Sequence, residues 1–114
     1  MPLDSMALPN GSMPKVGLGT WRLNGASCVS AVASALKMGY RHIDTAAFYQ
    51  NEAENAQGIQ KSGVAREDLF LTTKLWPTHS SAKQAVAECR ASLKRLGTDF
   101  VDLYLVHYYP EACS

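Results

Sequence analysis

The sequence predicts an α/β protein in which parallel strands alternate with helices, behind an N-terminal hairpin. Three observations predict it. Short apolar runs recur at Val16–Trp21, Arg41–Thr45, Asp68–Lys74 and Phe100–His107. Helical patterns of ten to fifteen residues separate them, which calls for right-handed crossovers between parallel strands. Three of the runs end on a chemically active side chain: Asp44, Lys74 and His107.

The hairpin comes first. Asn10-Gly11 sits between two short apolar pieces, the strongest short-range hairpin signal. The first parallel strand, Val16–Trp21, holds Gly17 and Gly19 where another group must approach the backbone. A helix follows over about Ser27–Met38. Val29, Val32, Ala33 and Leu36 give it an apolar stripe, and Gly39 stands at its C-terminal stop. The second strand is Arg41–Thr45. The second helix, about Glu52–Lys61, has a thin stripe of Ala53, Ala56 and Ile59, and is weakened by Gly58. Arg66-Glu67-Asp68 reads as a charged turn before the third strand. Ser81 and Gln84 fit a capping box that opens the third helix. That helix is expected to bury Val86, Cys89, Leu93 and Leu96, with Gly97 closing it. The fourth strand runs to His107.

The chain has 114 residues, 46% hydrophobic and 18% charged, which suits a folded domain with a core over a disordered segment. A net charge of +1, with both signs interspersed, gives no nucleic-acid or membrane-surface footprint. No apolar run reaches membrane-spanning length, and residues 1–10 lack the pattern of a signal peptide. Cys28, Cys89 and Cys113 are odd in number and widely spaced. They predict neither a disulfide framework nor a zinc site, and fit a reducing cytoplasm.

Side chains alternate faces along a strand. His42 and Asp44 therefore share one face of the second strand. Phe70, Thr72 and Lys74 share one face of the third, and Val101, Leu103, Leu105 and His107 one face of the fourth. If these faces point inward together, Asp44, Lys74 and His107 converge at the C-terminal ends of the strands, with Tyr49 above them on a loop. Read singly, each has an ordinary explanation: a solvated lysine, a core histidine, a helix-capping aspartate, a packed tyrosine. Together they suit proton delivery to a carbonyl oxygen. A lysine cation favours a phenolate, a carboxylate holds the lysine, and a neutral histidine orients the oxygen. No side chain supplies hydride, so a nicotinamide cofactor is implied. His42-Ile43-Asp44 also permits a metal pair, as in barrel hydrolases, but no second histidine cluster supports one, and no metal is expected. His79 reads as solvated.

Several segments resemble the aldo-keto reductases: Gly17–Trp21, Gly39–Ala46, Tyr49-Gln50-Asn51-Glu52, Leu71–Trp76 and Leu96–His107. They span nearly the whole chain in family-like order. The resemblance implies the first half of a (β/α)₈ TIM barrel, with residues 1–114 forming a partial reductase domain. It implies NADPH-dependent reduction of aldehydes or ketones, with Asp44, Tyr49, Lys74 and His107 as the catalytic set. Gly19, Thr20, Trp21 and Asp44 fall at the nicotinamide end of the cofactor. Trp21, Phe48, Trp76 and His107 fall on the substrate. Two positions depart from the family pattern. Gln50 stands where glycine is usual, and Tyr108-Tyr109-Pro110 follows the histidine where Trp-Pro is usual. A full barrel takes about 250 residues, so most cofactor contacts are expected from the missing C-terminal half. The same shortfall leaves two sheet edges open and favours self-association or aggregation of the isolated chain. The alternative to an enzyme is a non-catalytic partner or regulator of a full-length reductase.

Overall fold

The computed structural model describes residues 5–8, 11–75 and 81–106. A hairpin of β1 (Ser5–Leu8) and β2 (Gly11–Pro14) precedes the alternating part. Its strands pair antiparallel with Leu8 opposite Gly11, as a two-residue connection requires, although Pro9 and Asn10 themselves lie outside the described residues. Then come β3 (Leu18–Gly19), α1 (Gly25–Lys37), β4 (His42–Asp44), α2 (Glu52–Ser62), β5 (Phe70–Leu75), α3 (Ala82–Leu96) and β6 (Leu103–Val106). The four strands β3-β4-β5-β6 form one parallel sheet in chain order. The alternation predicts these parallel strands, and the architecture is that of the first half of the (β/α)₈ barrel that the family resemblance implies.

The strands are shorter than the apolar runs that predict them; Trp21 at the end of the first run and Asp68 at the start of the third lie in turns. Arg66–Asp68 forms a 3₁₀ turn, and Ala47–Tyr49 another. The predicted capping box is present: Ser81 Oγ accepts from the Gln84 N–H, and the Gln84 side chain accepts from the Ser81 N–H.

The core lies between the sheet and the helices. Cys28, Val32 and Leu36 of α1 pack with Ile43, Leu69, Leu71 and Leu96. Val101 packs against this helix-side cluster, not with Leu103 and Leu105, because the strand alternation starts only at Leu103. Two predicted stripes are corrected. In α2 the buried positions are Glu52, Asn55 and Gly58, while Ala53 is exposed. A Cβ on Gly58 would lie 2.6 Å from Val32 Cβ, so glycine is what lets α2 approach α1. In α3 the buried residues are Ser92 and Leu96; Cys89 and Leu93 are half-buried and Val86 is exposed. Only the C-terminal part of α3 presses on the sheet.

The other sheet face is the barrel interior. In register across it stand Gly19, Asp44, Thr72 and Leu103, with Lys74 beside Leu105 one step further along. Below them His42 Nε2 meets Thr72 Oγ1 at 2.9 Å, and the His42 ring meets Phe70 edge-on. Gly17 fits against His42, since a Cβ there would lie 2.8 Å from the imidazole. Burial lowers the His42 pKa below its ordinary 6.5, a shift that nearby Asp44 only partly opposes.

Candidate active site

Parallel strands and a shared register bring Asp44 and Lys74 to the same interior face at the C-terminal ends of β4 and β5. They form an ion pair through Lys74 Nζ and Asp44 Oδ1. The same ammonium donates to the Thr45 carbonyl at 3.1 Å and lies 3.4 Å from Tyr49 Oη. It also lies 5.1 Å from the centre of the Tyr49 ring. Lys74 is thus held by a carboxylate and a carbonyl and presented to a phenol.

Tyr49 reaches this place from the 3₁₀ turn Ala47–Tyr49, which closes on Gln50. Gln50 has φ 57° and ψ 32°, the left-handed conformation. A side chain there is strained, which gives a physical reason for the glycine preferred by the family pattern. Gln50→Gly should therefore raise stability by about 0.5–1 kcal/mol, read as a higher urea midpoint with unchanged slope. A lowered midpoint would contradict the assignment of strain.

Thr20, after β3, is fully buried and donates from its N–H to the Asp44 carbonyl at 3.0 Å. Trp21 beyond it is 58% exposed, and Phe48 is 40% exposed. Both offer exposed apolar surface. A Cβ on Gly19 would meet nothing within 4 Å, so open space lies over the end of β3, next to Asp44. Among the described residues a cleft of about 620 Å³ lies elsewhere. It runs between α2 and α3 past Arg66 and Phe100, at the opposite ends of the strands. Trp76, His79, His107, the Tyr108-Tyr109-Pro110 segment and Cys113 lie outside the described residues. No group of three or more potential metal ligands occurs among the described residues.

Three polar clusters escaped the sequence reading. Glu52, 1% exposed, accepts from Thr73 Oγ1 (2.5 Å), Ser92 Oγ (3.2 Å) and Arg95 Nε (2.7 Å). It ties α2 to β5 and α3, directly behind Lys74. Asn51 and Asn55, both fully buried, join the Thr20 and Thr45 hydroxyls and the Cys28 thiol in one network. Burial raises the Cys28 thiol pKa to about 11, with nearby Glu54 adding to the effect, so this cysteine is inert. At the far strand ends, Arg66 binds Asp102, the Leu69 and Phe100 carbonyls and the Thr98 hydroxyl, while Asp102 also accepts from the Leu71 N–H. Only Ser-x-x-Gln of the capping type has a short-range signature. The carboxylate and amide clusters include bonds between residues 21 to 43 positions apart, which carry no such signal.

The parallel α/β fold, with an inward-facing ion pair at the C-terminal strand ends, is that of part of a (β/α)₈ barrel protein. Comparison with known proteins agrees. Residues 15–113 match the model of the aldo/keto reductase family. The chain is 52% identical over 96 residues to glycerol 2-dehydrogenase (NADP(+)) of Saccharomyces cerevisiae, covering 84% of this chain and 30% of that one. A crystal structure of an aldo/keto reductase from Brucella melitensis superposes with a TM-score of 0.88 at 47% identity, over 94% of this chain and 41% of that one. A Bombyx mori aldo-keto reductase crystallised with NADP gives 0.85 at 42% identity, over 95% and 39%. The chain belongs to the aldo/keto reductase family. It spans about a third of the length of the curated relatives it matches.

Proposed function

We propose that residues 1–114 form a partial reductase domain carrying the proton-delivering side of an NADPH-dependent carbonyl reductase, which converts aldehydes or ketones to alcohols. The observation that carries this reading is the Lys74 ammonium held between Asp44 and the Tyr49 hydroxyl. Tyr49 gives its phenolic proton to the carbonyl oxygen as negative charge develops there. Lys74 stabilises the phenolate left behind, and Asp44 keeps Lys74 in place. His107 orients the carbonyl oxygen. Gly19, Trp21 and Asp44 would line the nicotinamide, with the fully buried Thr20 bracing them from behind, a correction to its expected cofactor contact, and Trp21, Phe48 and Trp76 would wall the substrate. NADPH, when bound, supplies hydride to the carbonyl carbon. The names of the yeast and silkworm relatives, both mentioning NADP, support this cofactor. Most of its contacts are assigned to the second half of the barrel.

The test is a fluorescence titration of the 114-residue chain with NADPH, followed by NADPH oxidation with an aromatic aldehyde. Saturable binding with aldehyde-dependent oxidation that Tyr49→Phe abolishes supports the reading; no binding and no oxidation mean that the catalytic set is inherited but idle in the truncated chain and favour the partner reading; oxidation unchanged in Tyr49→Phe overturns the reading.

A second reading, a non-catalytic partner of a full-length reductase, draws on the edges of the sheet. Leu105 and Val106 on edge strand β6 are 40% and 56% exposed. Such an edge invites pairing with another copy or with a longer homologue. Co-elution with a full-length reductase supports this reading, and separate elution of a monodisperse monomer dismisses it. The free, buried or half-buried Cys28 and Cys89 support a reducing cytoplasmic location.

A further inference from the structure

Asn51 occupies the N-cap of α2, where an asparagine side chain ordinarily accepts a hydrogen bond from the first turn of its helix. It makes no such bond. Its side chain is fully buried and turned the other way. Nδ2 donates to the Thr20 carbonyl at 2.7 Å and to the Leu23 carbonyl at 2.9 Å. Oδ1 accepts from Thr45 Oγ1 at 2.9 Å and from Asn55 Nδ2 at 3.1 Å. The two carbonyls bracket Trp21 and Arg22, and Arg22 has φ 67°, a left-handed conformation that few side chains adopt unaided. A strained turn thus stands at the mouth, bound at both ends by one buried amide.

Thr45 directly follows Asp44, and its carbonyl accepts from Lys74. Asn51 therefore joins the turn that presents Trp21 to the strand end that presents the Asp44–Lys74 pair. We propose that Asn51 is a positioning residue: it holds the Thr20–Leu23 turn, and with it Trp21, in register with the Lys74–Tyr49 pair. This rests on the reductase reading for its functional consequence, a loss of NADPH affinity when the tether is cut. Asn55 locks the arrangement, since its Nδ2 also reaches the Thr20 and Thr45 hydroxyls.

Hydrogen–deuterium exchange of the 114-residue chain tests it, comparing Asn51→Ala with Asp102→Ala. The latter breaks the brace at the opposite strand ends and serves as the control for general loosening. Amides of residues 20–24 should exchange roughly tenfold faster in Asn51→Ala than in Asp102→Ala, and NADPH affinity should fall by a similar factor only in Asn51→Ala. If Asn51→Ala does not fold, Thr45→Val, which removes only the hydroxyl that orients the amide, should give the same local pattern with smaller amplitude. Equal exchange over residues 20–24 in the two variants overturns the tether. Faster exchange with unchanged NADPH affinity overturns the positioning role. A wild-type chain that binds no NADPH instead overturns the reductase reading, and the exchange comparison then still decides the tether.

Discussion

Tyr49→Phe should lower aldehyde-dependent NADPH oxidation by about 10³-fold while leaving NADPH affinity within about twofold. The phenylalanine keeps the ring that Lys74 faces and removes only the hydroxyl. No other described hydroxyl lies on the Lys74 ammonium. A thousandfold loss corresponds to about 4 kcal/mol of transition-state stabilisation, in the middle of the range that a positioned proton donor contributes. The comparison separates proton delivery from cofactor binding, because the residues assigned to the nicotinamide end are Gly19, Trp21 and Asp44, not Tyr49. Equal turnover in both proteins would remove Tyr49 from the chemistry.

Glu52→Ala should cost about 3 kcal/mol of stability, read as a lower urea midpoint. The carboxylate is 1% exposed and binds three partners from two other elements. Removing it strands the Thr73 and Ser92 hydroxyls, both fully buried. Arg95 is partly solvated, 42% exposed along its side chain, and can turn to water, which limits the loss. The exposed Glu67→Ala serves as control and should change stability by no more than about 0.5 kcal/mol. A Glu52→Ala effect within that range would mean that α2, β5 and α3 are held by apolar packing alone. Because Thr73 precedes Lys74 in β5, the variant should also lower turnover through a displaced Lys74.

The alternation of strands and helices was readable because hydrophobic period and glycine stops are local signals. Gly63 and Gly97 end their helices in the left-handed conformation expected of them. The meeting of Asp44 with Lys74 was readable for a similar reason. Strand parity places both on one face, and parallel pairing places both at one end. What the sequence hid were the polar residues buried against other elements. Glu52, Asn55 and Gly58 form the buried side of α2, yet a glutamate, an asparagine and a glycine look like a solvated or weakened helix. Asn51 looks like an ordinary cap, and its actual bonds run to residues 28 and 31 positions away. Arg66 looks like part of a charged turn, yet it clamps Asp102 across 36 positions and lies 4.0 Å over the Phe100 ring. Such contacts depend on which elements become neighbours, and no local period announces them.

The central claim is that Lys74, Asp44 and Tyr49 deliver a proton to a carbonyl whose carbon receives hydride from NADPH. The measurement that tests it most directly is deuterium transfer. The chain is incubated with an aromatic aldehyde and NADPH deuterated at the transferable position, and the alcohol is analysed by mass spectrometry. The account predicts deuterium on the carbinol carbon with the wild-type chain and almost none with Tyr49→Phe. Absence of labelled alcohol with the wild type, or equal labelling with both proteins, would contradict it.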